Sequence, residues 1–69
     1  MKNFVIGEQV YVVTTEDREH TVERAEVKEF QHSVNMSWIV VEKEDGEMMS
    51  TRNRIFKTEK DAITYAKSI

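Results

Sequence analysis

Val34-Asn35-Met36-Ser37-Trp38-Ile39-Val40-Val41-Glu42-Lys43-Glu44-Asp45-Gly46-Glu47-Met48-Met49-Ser50-Thr51-Arg52 decides the fold. Along its start, Val34, Met36, Trp38 and Val40 share one face of an extended chain, and Asn35, Ser37, Ile39 and Val41 share the other. From Ile39 the run is apolar on both faces. That is the pattern of a strand covered on both sides at one end, as in a curled sheet or a barrel. Asp45-Gly46 offers the positive φ of a tight hairpin turn. Met48 to Arg52 then reads as the returning strand.

Downstream of this hairpin the period changes from strand to helix. In Arg54-Ile55-Phe56-Lys57-Thr58-Glu59-Lys60-Asp61-Ala62-Ile63, Thr58 can cap a helix and Asp61 stands where a capping box places its acid. Phe56 precedes the cap and can pack on Ala62 or Ile63, as in a hydrophobic staple. Ala62, Ile63, Tyr65, Ala66 and Ile69 form an apolar stripe, so a helix is expected over about 59–68. A helix this short does not hold alone in water, and must dock on the sheet.

Upstream, Val10-Tyr11-Val12-Val13 are strong strand formers, with Gly7-Glu8 as a turn before them. Residues 14–21, Thr-Thr-Glu-Asp-Arg-Glu-His-Thr, contain no apolar side chain and read as a long exposed loop. In 22–31, Ala25 and Val27 alternate with Glu26 and Lys28, which favours a strand over a helix. Phe30 breaks the alternation, so a bulge is expected near Glu29. The expectation is one domain over 1–69, mainly β. It has four or five antiparallel strands within about 5–53, in a small barrel or a strongly curled sheet, and ends in a helix.

Composition narrows the function classes. The 69 residues include no cysteine and no proline, and two glycines. Disulfides and thiolate metal sites are therefore excluded, and the chain is not of a disordered type. The start carries one basic residue before a short apolar run, unlike a secretory signal, and no stretch approaches a membrane span. A cytoplasmic protein with no membrane partner is expected. Net charge is −3 and unevenly placed. Residues 1–47 hold eleven acids and five bases, whereas 48–69 hold two acids and five bases. Overall acidity argues against sequence-independent nucleic-acid binding, which depends on neutralising phosphates.

Gly7-Glu8-Gln9-Val10-Tyr11-Val12-Val13, the polar stretch after it and three further short strands resemble a small SH3-like barrel of the Tudor or KOW kind. The ending Phe56-Lys57-Thr58-Glu59-Lys60-Asp61-Ala62 is similar to a phenylalanine–basic–threonine–acidic–x–x–alanine tail of small uncharacterised proteins of Firmicutes phages and prophages. The resemblance implies an SH3-like barrel and an accessory protein of phage or mobile-element type.

No catalytic constellation is present. There is no nucleophile elbow, no Cys/His pair and no phosphate-cradling glycine loop, so no enzyme and no cofactor are expected. His20 and His32 lack the spacing of a metal site. Trp38, the single tryptophan, is expected in the core, with Met36, Met48 and Met49 filling gaps around it; an exposed aromatic groove or cage is the alternative. Two charged sets remain as candidate contacts. Glu16, Asp17, Glu19, Glu23 and Glu26 form an acidic surface suited to a protein partner with a basic face. Arg52 and Arg54, two apart on a strand and so on one face, join Lys57 and Lys60 as a candidate site for anions or nucleic acid. The sequence thus points first to a non-enzymatic protein-interaction module. A nucleic-acid-associated module and a self-associating protein pairing through a strand edge are the alternatives.

Overall fold

The computed structural model describes residues 3–69. Strands β1 (Gln9–Glu16), β2 (Glu19–His32), β3 (Ser37–Lys43) and β4 (Gly46–Ser50) form an antiparallel meander. A 3-10 turn (Arg52–Arg54) leads into the two-residue β5 (Ile55–Phe56), which returns to pair with β1, and helix α1 (Glu59–Ser68) follows. The strand order is β4-β3-β2-β1-β5. The sheet is curled but not closed: β4 and β5 are its two edges. Its extents of 29 × 26 × 25 Å show how far the curl departs from a flat sheet.

The curl originates in β2. Its first part, up to Glu26, pairs with β1, and its second part, from Ala25, pairs with β3. The register slips between Val27 and Glu29, so Lys28 is the extra residue of a bulge, as the break at Phe30 suggests. A bulge bends its strand and increases the local twist. One strand thereby serves two half-sheets at an angle. On the concave face Val10 lies opposite Ala25, Val12 opposite Ile55, and Val27 opposite Val41, which in turn lies opposite Met48. These residues, with Phe4 and Ile39, make the core, and Phe30 and Met48 pack against it. The N-terminal segment closes one end: Gly7 N–H donates to the Val27 carbonyl (2.8 Å) and Val27 N–H to the Glu8 carbonyl (2.9 Å).

β1 is apolar on both faces because the helix covers its back. Tyr11 lies opposite Phe56, and Phe56 meets Tyr65 of α1 with ring centroids 5.3 Å apart. Val13 and Ala62 are buried, Tyr65 and Ala66 half-buried, and Ile63 and Ile69 remain exposed. The helix begins where its cap dictates: the Thr58 hydroxyl accepts from Asp61 N–H at 3.2 Å. Phe56 finds Tyr65 one turn further along, in place of the expected staple to Ala62 or Ile63.

Five expectations are corrected. Residues 14–21 are not a loop but the end of a hairpin, with only Asp17-Arg18 in the turn. The strand expected from Val34 starts at Ser37, because Ser33 N–H bonds the Met36 carbonyl (2.8 Å) and closes a turn that leaves Val34 99% exposed. Trp38 is half-buried at the rim, and the core positions of β3 are Ile39, Val40 and Val41. Arg52 and Arg54 lie on the 3-10 turn, where a spacing of two does not place side chains on one face. Gly46 supplies a positive φ (134°), but as the first residue of β4 after a Glu44-Asp45 turn.

Candidate functional site

The β1–β2 hairpin extends beyond the apolar core. Its tip is a two-residue turn in which Asp17 (φ 51°) and Arg18 (φ 69°) are both left-handed, the backbone of a type I′ turn. Below the tip, side chains tie the strands together without apolar contacts. Thr14 and Thr21 hydroxyls lie 2.6 Å apart, Thr14 also donates to Glu23 (3.2 Å), and Thr15 Oγ1 lies 2.8 Å from His20 Nδ1. Arg54 Nη1 donates to Thr15 Oγ1 at 3.2 Å, anchoring the 3-10 turn to the hairpin.

Pairing divides the five candidate acids. Glu23 is held by Lys43 at 3.0 Å, and Glu26 by Lys28 at 3.1 Å. Donating to the Glu23 carboxylate holds the Lys43 ammonium above its usual range, and donating to Glu26 does the same for Lys28. Glu23 and Glu26 also sit at positions of opposite parity on β2, so they face opposite ways. Glu16, Asp17 and Glu19 differ from both. All three are exposed, and among the described residues none makes an ion pair. Glu16 lies directly opposite Glu19 in the ladder, an arrangement of like charges that costs stability.

The basic candidates are dispersed in role. Lys57 bonds Glu8 at 2.9 Å and lies 5.3 Å from the centre of the Phe4 ring. That hydrogen bond, helped by Val5 N–H on the other carboxylate oxygen (3.0 Å), holds Glu8 below the usual carboxylate range. Arg54 is engaged by Thr15. Lys60 is exposed in the first turn of α1 and makes no ion pair among the described residues.

Two grooves mark the surface. One, of about 650 Å³, lies beside Tyr11, Arg24, Glu26, Glu42 and Glu59. The other, of about 350 Å³, runs along the open seam of the sheet, between Val13–Thr15 of β1 and Met48–Thr51, with Trp38 and Arg54 on its walls. In the sequence an exposed aromatic groove at Trp38 is the lesser alternative to a place in the core. Its only signals there were an aromatic at a strand start and the Met48-Met49 pair. The histidines are apart in function, His20 against Thr15 and His32 against Ser37 (3.0 Å). No group of three metal-ligating side chains occurs among the described residues. No helix among them is long and apolar enough to cross a membrane.

No protein-family model, curated protein or solved structure matches the chain.

Proposed function

We propose that this chain is a non-enzymatic protein-interaction module, of the accessory kind found in phages and mobile elements, that docks a basic segment of its partner on the tip of the β1–β2 hairpin. The observation that carries the reading is the set Glu16, Asp17 and Glu19, which makes no ion pair among the described residues. Lysines elsewhere on the chain answer Glu8, Glu23, Glu26, Glu42 and Asp45, yet the like charges at the tip are left facing each other. A partner's lysines or arginines would relieve that repulsion and gain charge-assisted hydrogen bonds. The Trp38 groove lies against Thr14 and Thr15, next to the tip, and supplies apolar surface for residues flanking the basic ones. Glu23 and Glu26 play no part in this contact, because they are spent on Lys43 and Lys28.

An SH3-like architecture agrees with this reading. The meander, the short 3-10 turn and the return of β5 to β1 support it. A cytoplasmic setting fits the lack of cysteine. Nucleic-acid binding through Arg52, Arg54, Lys57 and Lys60 is less well supported, since Lys57 and Arg54 already serve contacts within the chain.

Titration of the isotope-labelled protein with a lysine-rich peptide tests the proposal. Amide shifts are expected at residues 15–20 and at the Trp38 indole, weakening as salt rises. Reversal of Glu16, Asp17 and Glu19 to lysine should abolish them while the fold persists. Shifts centred on Arg52 and Arg54, or undiminished in the triple variant, would refute the assignment.

A further inference from the structure

Of the two sheet edges, β5 is two residues long and runs directly into the capped helix. β4 is the longer, and among the described residues no strand pairs with its outer side. The Glu44-Asp45 turn closes on the Lys43–Gly46 pair, which is hydrogen-bonded in a two-residue hairpin. Bonded and non-bonded pairs alternate from there, so Val41–Met48 and Ile39–Ser50 exchange bonds across the ladder. Glu47 and Met49 therefore turn their N–H and C=O groups outward. Both residues are exposed. They form a short template for another strand.

Charge along this edge has a direction. Glu44, Asp45 and Glu47 lie at its start; Arg52 and Arg54 follow its end. A second copy running antiparallel presents the reverse order. We propose that the chain forms a two-fold dimer through antiparallel pairing of β4 with β4 of a second copy, centred on Met48. In this register Glu47 exchanges backbone bonds with the second copy's Met49, and the outward groups of both strands are satisfied. Met48 meets its counterpart at the axis, where its flexible thioether can adapt. At each end the acidic Glu44-Asp45 turn of one copy comes toward the 3-10 turn of the other, which begins at Arg52, beyond the paired residues of β4. Met49, 47% exposed in the single chain, is covered.

The neighbouring registers are worse. A shift centring on Glu47 sets the two Glu47 residues face to face, which like charge disfavours. A shift centring on Met49 carries the pairing out of β4 and into the 3-10 turn at Arg52–Arg54. The interface is self-complementary, as a two-fold contact must be. It does not depend on the acidic hairpin tip.

Sedimentation equilibrium of the full chain, from micromolar to about 1 mM, tests the proposal. The mass should rise from 8.1 kDa toward twice that value, with the dimer weakening as salt is added. Glu44→Arg and Arg52→Glu should each weaken dimerisation roughly tenfold or more, since each sets like charges together at both ends. Mixing the two variants in equal amounts should restore the dimer, because a mixed pair again sets opposite charges at positions 44 and 52 against each other at both ends. Met49→Pro, which removes an outward N–H that β3 does not use, should also abolish it; circular dichroism checks that each variant is folded. A constant 8.1 kDa across the range would overturn the proposal. So would a dimer that neither charge reversal weakens, or one that mixing fails to restore. The Glu16, Asp17 and Glu19 triple variant should dimerise normally, so loss of peptide binding and loss of the dimer are separable results.

Discussion

Arg18 occupies a backbone conformation that its side chain disfavours, and replacing it with glycine should stabilise the protein. With φ at 69° it sits in the left-handed region, which costs an ordinary L-residue about 1–2 kcal/mol. Glycine avoids that cost but gives up about 0.5–1 kcal/mol through its freer unfolded chain. The difference leaves roughly 0.5–1 kcal/mol in favour of Arg18→Gly. Type I′ turns prefer glycine at this second position for the same reason. The Arg18 side chain is exposed and makes no ion pair among the described residues, so little contact is lost. Removing its charge beside Glu16, Asp17 and Glu19 does raise the local repulsion, and Arg18→Ala measures that effect because it keeps the Cβ. Urea unfolding followed by far-ultraviolet circular dichroism gives the comparison. Glycine should exceed alanine by about 1 kcal/mol with an unchanged denaturant slope, or roughly 4–8 °C in Tm for a domain of this size. A glycine variant no more stable than the alanine variant would show that the turn is not strained in the way its φ angles imply.

Thr58→Ala should lower stability by about 0.5–2 kcal/mol, read from the unfolding midpoint, because Asp61 N–H loses its acceptor. Ile55→Val should cost about 0.5–1.5 kcal/mol and Ile55→Ala about 2–5 kcal/mol, since Ile55 is fully buried between β1 and the rest of the core; in so small a domain the alanine variant should be largely unfolded at about 37 °C. Carboxyl NMR should find Glu8 titrating below its ordinary 4.5, and Lys57→Gln should move it back up; titration at 4.5 in the unaltered protein would remove the Lys57 contact from solution. A depressed carboxyl stabilises above its unfolded value and loses that contribution as pH falls through its folded one, so the Glu8 latch should release on the acid side. The raised Lys28 and Lys43 groups have the opposite sign: their contribution is present below 10.5 and is lost as pH rises through their folded values.

Legibility in the sequence followed how local each determinant is. The helix was readable to its ends because Thr58, Asp61 and the Ala62 stripe lie within a few residues of one another. The bulge was readable because Phe30 visibly breaks a two-residue period. The hairpin tip was not, because both faces of residues 14–21 are wet and hydrophobic alternation is therefore absent. Three β-branched threonines, Thr14, Thr15 and Thr21, were the remaining strand signal, and their polarity concealed it. Val34 and Met36 misled in the other direction: their alternation belongs to a turn closed by Ser33. The candidate site was half legible. Exposed acids could be seen, but which of them are neutralised depends on register. Lys43 reaches Glu23 across twenty residues only because Ala25 pairs with Lys43.

The long, bent β2 has a consequence for how the molecule comes apart. β1 and β3 each dock on it, they overlap only at Ala25 and Glu26, and Val27 also receives the N-terminal segment. No half of the sheet can therefore detach while leaving the middle of β2 bonded on both sides. Fraying at the hairpin tip or at β4 can proceed alone, but opening at Ala25–Val27 requires the whole domain to open. In hydrogen–deuterium exchange those central amides should be the slowest, exchanging only through global unfolding, while amides near Asp17 and Glu47 exchange through local excursions. The bend that shapes the sheet would then also make the chain a single cooperative unit, with a mobile tip on a fixed axle.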